Sequence, residues 1–184
     1  MYRLLSFKKS DSSWVKPATS ATQQCIATAQ YPETETAITS LHSGWAEQSP
    51  EMWWEHTIQA IKKLNASKKF NAGDIVAIGI SYQMHGLVIV DKQQKVLRDS
   101  IIWCDSRAVE IGENAFNAIG EEICATSLLN SPGNFTESKL GWIKNNEPEI
   151  YQQVDKMMLP GDFIEMKFTG EITTASSALS EGIL

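Results

Sequence analysis

One apolar run constrains the fold of this chain more than any other feature. Residues 74–81 read Asp-Ile-Val-Ala-Ile-Gly-Ile-Ser, which is almost continuously apolar and rich in β-branched residues. Such a run is typical of a strand buried on both faces, within a sheet that helices cover. Further strands are predicted over 86–91 and 101–103, and the polar turn over 91–95 leads into Val96 and Leu97 as a hairpin.

The strongest helix signal begins at Ser49-Pro50-Glu51. Serine can cap a helix, proline is favoured at its first position, and glutamate favours the positive end of the helix dipole. Apolar residues then recur at helical spacing, which predicts a helix over 50–65. Further helices are predicted over 107–119, 121–129, 136–147 with Thr136 as its cap, 149–154 and 163–168, and further strands over 4–7, 24–31 and 156–159. This order predicts an α/β or α+β fold with a mixed sheet.

Composition and charge narrow the class of protein. The 184 residues are 42% hydrophobic and 21% charged, which indicates one folded domain, or a large part of one, and excludes a disordered tail or a coiled coil. The sequence has neither an apolar run of about 18 residues nor a secretory signal, so we expect no transmembrane helix. A net charge of −6 disfavours nucleic acid and anionic membranes as partners. Three widely spaced cysteines, Cys25, Cys104 and Cys124, favour a reducing cytoplasm.

The most unusual local sequence is Gln83-Met84-His85-Gly86, which lies between two predicted strands. Ligands of open α/β sheets gather at strand ends. Gln83 and His85 supply directional hydrogen bonds, Met84 an adaptable apolar wall, and Gly86 room for close approach. Because no cationic side chain belongs to the group, it suits a polyol better than a phosphate. The alternative is a β-turn with a partly buried, hydrogen-bonded histidine.

Two other segments are weaker candidates. In Cys104-Asp105-Ser106-Arg107, Asp105 can cap a helix, accept from a hydroxyl group or pair with Arg107; the alternative is a capping aspartate beside an exposed arginine. The segment 131–136 contains Asn134, and its alternative is a turn followed by a helix cap. Cys104 is expected to be a buried, unreactive thiol. The sequence shows no metal-ligand spacing and no glycine-rich phosphate motif.

Seven segments together resemble the N-terminal domain of xylulokinases, which are FGGY carbohydrate kinases. The resemblance covers about residues 24–184. The segments occur in the family's order and are Ser43–Gln48, Pro50–Trp54, Gln83–Gly86, Ile102–Arg107, Pro132–Trp142, Glu147–Tyr151 and Met158–Phe163. The resemblance implies an actin/hexokinase-type fold, related to ribonuclease H, with a mixed five-stranded sheet flanked by helices. It makes 1–184 a partial N-terminal domain.

The resemblance also implies a reaction and a set of site residues. The reaction is the ATP- and Mg²⁺-dependent phosphorylation of D-xylulose to D-xylulose 5-phosphate. Met84 and His85 would contact the sugar, with weaker contacts from Gln83, Asp105 and Asn134. The intact protein is expected to be cytoplasmic, with sugar and ATP as its small-molecule partners and a homodimer as its assembly.

The resemblance is interrupted at the phosphate loop. Lys8 stands where the family has an aspartate, and Ser10 where it has a glycine, so only Ser12, Ser13 and Lys16 match weakly as ATP contacts. The catalytic aspartate is expected after Leu184, which leaves this chain without a catalytic residue and inactive by itself. Two alternatives stay open. One is an FGGY kinase for L-xylulose, ribulose or gluconate, and the other is a non-catalytic sugar-binding module.

Overall fold

The apolar run over 74–81 forms a strand at the edge of a mixed sheet. A computed structural model of the chain describes residues 2–9, 12–19, 24–128 and 131–182. Its strands within these ranges are β1 (Tyr2–Lys9), β2 (Ser12–Thr19), β3 (Ala29–Tyr31), β4 (Glu47–Gln48), β5 (Ile75–Ser81), β6 (Val88–Val90), β7 (Ser100–Ile101) and β8 (Lys156–Met158). Its helices are α1 (Pro50–Ala66), α2 (Val109–Ile119), α3 (Glu121–Ile123), α4 (Thr136–Asn146), α5 (Pro148–Tyr151), α6 (Pro160–Thr169) and α7 (Ser176–Gly182). No described helix is both long and apolar enough to span a bilayer.

The described residues divide into two units, and unit 1 comprises those of 1–37 and 51–83. Its sheet has the order β3-β2-β1-β5, in which β1 and β2 form an antiparallel hairpin and β5 runs parallel to β1. The resemblance implies five strands, whereas this sheet has four within the described ranges. The strand predicted over 4–7 is part of the longer β1, whereas the strand predicted over 24–31 is confirmed only at Ala29–Tyr31.

Helix α1 builds the core of unit 1, and it confirms the helix predicted over 50–65. Ala60 and Leu64 on α1 pack with Val15 and Ala27, and Ile75 borders this cluster. The expectation that β5 is buried on both faces is wrong for the described structure. Val76 and Ile78, which share a face by strand alternation, remain 52% and 46% exposed. The described residues therefore shield β5 less than its apolar sequence predicts.

Unit 2 comprises 38–50 and the described residues from 84 onward, and its core joins short strands to α4. Leu87, Ile89 and Ile101 pack against Ile143 of α4. Strand β6 pairs with β8, and β7 pairs with β4, which the sequence did not predict. The hairpin predicted after 86–91 is confirmed by the antiparallel bridge between Val90 and Val96.

Several helix ends differ from their predictions for local reasons. Helix α2 begins two residues later than predicted, at Val109, because the preceding segment is held by tertiary contacts described below. The cap predicted at Thr136 is wrong, since Phe135 occupies the cap position and Thr136 is the buried first residue of α4. Helix α5 ends at Tyr151, three residues before its predicted end. Helix α6 ends at Thr169, and the Gly170 that follows has φ of 79°, the left-handed conformation that glycine tolerates.

One close approach in unit 2 requires a glycine. A Cβ on Gly112 of α2 would lie 1.6 Å from the carbonyl oxygen of Gly133. The turn that carries Asn134 therefore packs directly on the backbone of α2, and this contact fixes its position in unit 2.

Candidate functional site

The Gln83–Gly86 loop carries the strongest sequence candidates, and its histidine has an uncommon backbone conformation. His85 has φ of 58°, in the left-handed region that histidine tolerates better than most residues. Its ring meets Phe135 edge-on at 4.2 Å between centroids. Met84, beside it, is 55% exposed and presents a large apolar surface. The loop thus combines a fixed imidazole with an accessible apolar side chain.

A second loop lies next to this one. The antiparallel bridge between Leu87 and Ile101 places the residues before β6 beside the residues that follow β7. Trp103 belongs to that following segment, and its side chain is 49% exposed. Each of these two neighbouring loops therefore carries one exposed apolar side chain, Met84 in the first and Trp103 in the second. Trp103 was not predicted as a contact from the sequence.

Lys139 hydrogen-bonds the backbones of both loops, and its side chain is fully buried. Its Nζ donates to the carbonyl oxygen of His85 at 2.5 Å and to that of Ile102 at 3.1 Å. Burial lowers the pKa of Lys139 from its usual 10.5 to about 8, and the negative charge of Asp105 opposes part of this shift. A lysine within the buried stripe of α4, at helical spacing with Thr136 and Ile143, is the sequence signal that could have revealed it.

Asp105 is completely buried, and its carboxylate is satisfied by this chain. Its Oδ2 accepts from the main-chain N–H of Ala46 at 2.6 Å, and its Oδ1 accepts from that of Arg107 at 2.9 Å. The Arg107 guanidinium donates to both oxygens. The Asn134 side-chain amide donates to the main-chain carbonyl of Asp105. These bonds hold the segments of Asp105 and Asn134 together, which gives both residues a structural role.

Arg107 packs against two tryptophan rings that contact one another edge-on, and its side chain is 1% exposed. The centre of its guanidinium is 3.9 Å from the ring centroid of Trp45 and 4.9 Å from that of Trp142. It also pairs with Glu47 at 2.6 Å. The predicted pairing of Asp105 with Arg107 is confirmed, and the alternative of an exposed arginine is wrong. The capping role of Asp105 is also wrong, since α2 has Ala108 at its cap position.

The charged cluster around Arg107 extends to a second arginine. Arg98 pairs with Glu47 and, at 2.6 Å, with Glu147. These side chains are largely buried, so each arginine offsets the cost of burying the carboxylates beside it. The cluster ties β4 to the segment after β7 and to the end of α4. It therefore stiffens the part of unit 2 from which the Trp103 loop leaves.

Cys104 differs from its prediction in exposure and agrees with it in reactivity. The residue is exposed, so the expected burial is wrong. Partial burial of the thiol nevertheless raises its pKa, and the charge of Asp105 adds to the rise. A raised pKa leaves little thiolate at neutral pH, so Cys104 lacks the activation of a nucleophile.

The sequence predicts no metal site, and two observations bear on the described ranges outside these loops. The described ranges contain no cluster of three or more His, Cys, Asp or Glu side chains suited to a metal ion. A cavity of about 190 Å³ lies in unit 2, lined mainly by apolar residues of β8, α6, α7 and the segment between the two helices. None of the predicted sugar contacts lines it. Ser12, Ser13 and Lys16 lie in β2, and the side chains of these predicted ATP contacts are outside the described structure, as is Ser10.

Glu137 lies on α4 two residues before Lys139, and the sequence did not single it out. It is half-buried as a residue. Both of its carboxylate oxygens are buried, and no other described residue donates a hydrogen bond to them. Burial raises the pKa of Glu137 from 4.5 to about 7, and its own main-chain N–H opposes part of the rise. Between these two values the folded state binds more protons than the unfolded state, so stability falls as the pH rises through that window.

Replacing Glu137 by glutamine should therefore stabilise the protein above neutral pH. At pH 8 we expect Glu137→Gln to raise Tm by about 3–6 °C, and at pH 4.5 to change it much less, because the folded carboxyl is then protonated and the unfolded one only half ionised. Thermal unfolding at both pH values measures this difference. Glu113→Gln, at an exposed position of α2, is the matched control. An equal shift of Tm at both pH values would contradict the role of ionisation.

Comparison with known proteins identifies the family. Residues 12–184 match the model of the N-terminal domain of the FGGY family of carbohydrate kinases. The chain belongs to that family. It is 39% identical to the xylulose kinase of Escherichia coli over 136 residues, which is 74% of this chain and 28% of that protein. The chain thus spans about 28% of the length of such curated relatives.

Solved structures of FGGY kinases share this fold. A protein described as a xyloylose kinase from Brucella ovis superposes with a TM-score of 0.86 at 27% identity, covering 99% of this chain and 36% of the other. A gluconate kinase from Lactobacillus acidophilus superposes with a TM-score of 0.83 at 21% identity, covering 100% of this chain and 36% of the other. The actin/hexokinase-type fold expected from the sequence is thereby confirmed.

Proposed function

We propose that this FGGY domain forms the sugar-binding part of a kinase that phosphorylates D-xylulose at its terminal hydroxyl, yielding D-xylulose 5-phosphate. Relatives more than 30% identical are described as xylulose kinases, which supports this sugar over others. The observation that carries the proposal is the His85 loop. Its imidazole is held by an edge-on contact with Phe135 and by a hydrogen bond to its main chain, beside two accessible apolar side chains, Met84 and Trp103.

The residues of this chain would bind and orient the sugar. A ketopentose presents hydroxyl groups along one edge and C–H groups on its faces. His85 can donate to or accept from a hydroxyl group, while Met84 and Trp103 pack on the apolar face and exclude water. Gln83, Asp105 and Asn134 stay in the proposed set as weaker contacts. For Asp105 and Asn134, the bonds that they make within unit 2 favour a supporting role.

MgATP would supply the phosphoryl group in the intact enzyme. The described residues include no metal-binding cluster, so we assign magnesium no ligand among them. No described side chain is assigned as the base that deprotonates the sugar. We expect the enzyme to act in the cytoplasm, which the three free cysteines support, and its assembly as a homodimer stays a prediction.

Titration of the chain with D-xylulose tests the proposed sugar. We expect heat of binding with D-xylulose and weaker binding of gluconate, because the loop surface fits a neutral ketopentose better than a carboxylate. Ribulose, another neutral ketopentose, is titrated as the stereochemical comparison. ATP turnover is measured in parallel, on this chain and on a longer protein that contains it. Turnover of another sugar in the longer protein would favour a different FGGY activity, and binding without turnover in both would favour a sugar-binding module.

Replacing Trp103 by alanine is the matched test of the apolar surface. We expect Trp103→Ala to weaken D-xylulose binding about five- to tenfold, since aromatic packing contributes about 1 kcal/mol beyond buried area. Leu41→Ala, at another exposed apolar position of unit 2, is the control and should leave binding unchanged. Equal affinities of both variants for D-xylulose would remove Trp103 from the site.

A further inference from the structure

Lys139 has a contact pattern that neither packing nor the proposed chemistry requires. Its side chain is fully buried, whereas the same helix contributes the apolar Ile143 to the core of unit 2. Burying an ammonium group costs free energy, since the ion loses its hydration. An apolar side chain of similar length would fill the same space without that cost. The lysine must therefore provide something that an apolar side chain cannot.

Its two hydrogen bonds show what that contribution is. Nζ donates to the main-chain carbonyls of His85 and Ile102, which belong to the two loops at the candidate site. Hydrogen bonds from a charged donor are stronger than those between neutral groups. One ammonium group thus holds both loop backbones at a fixed separation. His85 directly follows Met84, and Ile102 directly precedes Trp103. The ammonium group therefore holds the backbone next to both exposed side chains.

The backbone of His85 makes this support necessary. A non-glycine residue with φ of 58° is strained and persists only where its surroundings hold it. Phe135 contacts the ring, whereas Lys139 bonds the carbonyl of the same residue. The charged groups that face the ammonium are Asp105 and Arg107, with the Cys104 thiol also near. Asp105 balances the buried cation, so its negative charge helps to retain the lysine in place.

We propose that Lys139 is a positioning residue, which fixes the His85 backbone so that the imidazole is oriented for sugar binding. The proposal rests on the proposed function for its sugar and on the geometry for the positioning itself. It predicts that Lys139 affects the conformation of His85 directly and sugar affinity through it.

The test uses the 184-residue chain and its three histidines as reporters. Histidine-selective isotope labelling yields signals for His42, His56 and His85 in one NMR spectrum. In Lys139→Met we expect the His85 signal to shift and broaden while the His56 signal stays unchanged. We expect the Kd for D-xylulose to rise about tenfold, which corresponds to about 1.4 kcal/mol of lost binding energy. Lys144→Met, at an exposed position on the same helix, should alter neither measurement.

A second substitution guards against a folding defect. Lys139→Gln keeps a polar donor on a shorter stem, and we expect it to shift the His85 signal in the same direction. An unchanged His85 signal in both variants would overturn the proposal, and so would loss of the folded state in both, which would show a general structural role. Absence of D-xylulose binding by the unmodified chain would instead refute the proposed function, while the His85 signals would still decide whether Lys139 positions that residue.

Discussion

Replacing Arg107 by alanine is expected to lower the free energy of unfolding by about 3–5 kcal/mol, because it leaves buried carboxylates without their cation. Asp105 is completely buried and receives the guanidinium on both oxygens, and Glu47 pairs with the same group. The substitution also removes the group that packs against both Trp45 and Trp142. For a chain of this length the loss corresponds to a fall in Tm of about 6–20 °C.

Thermal or urea unfolding of Arg107→Ala measures this loss. The matched control is Lys63→Ala, which breaks the exposed pair of Lys63 with Glu33 and should cost less than about 1 kcal/mol. Arg107→Lys keeps the charge but loses the planar guanidinium that contacts both tryptophan rings, so we expect an intermediate loss. If Arg107→Ala and Lys63→Ala destabilised the protein equally, the cluster would not be the stabilising feature that its burial implies.

Replacing His85 by alanine is expected to raise KM for D-xylulose at least about tenfold in the intact kinase, with KM for ATP nearly unchanged. The reason is that a buried or half-buried sugar hydroxyl loses its hydrogen-bond partner, whereas nothing in the proposal connects His85 with the nucleotide. Steady-state kinetics with each substrate varied in turn separate the two values. This prediction depends on the proposed sugar, unlike the stability effect of Arg107.

Two further variants separate the ring from its backbone. His85→Asn keeps a residue that tolerates the left-handed conformation, so a similar rise in KM would assign the effect to the lost imidazole. His56→Ala, which removes a ring that contacts Tyr31 in unit 1, should change neither KM value. An equal rise in KM for ATP and for D-xylulose after His85→Ala would count against direct sugar contact.

Local patterns in the sequence predicted the elements with strong periodicity and clear end signals. Helix α1 begins at the proline-containing start that predicts it, and β5 covers nearly all of the apolar run. The short elements were predicted less well, because two-residue strands such as β4 depend on a distant partner rather than on their own residues. The cap at Thr136 failed for a related reason, since packing buries that side chain at the start of α4.

The residues of the candidate site were likewise predictable only where a local sequence pattern marks them. Gln83-Met84-His85-Gly86 stands out because polar and flexible residues interrupt two apolar strands, and that contrast is visible in a single sequence. The buried environment of Asp105 was not predictable, since its partners include Ala46, which is 59 residues away. Lys139 and Trp103 were not predicted, because a lysine is usually a surface residue and a tryptophan is usually largely buried.

The sequence by itself determined the family, the main strands and helices, and the loop that carries Met84 and His85. Periodicity, capping residues and ordered local motifs act over a few residues, so the linear chain contains them. Only the tertiary structure decided that Arg107 packs against two tryptophans, that Asp105 has a structural role, and that Lys139 holds the His85 backbone. Those roles come from burial and from hydrogen bonds between segments far apart in the chain, and both exist only once the chain has folded.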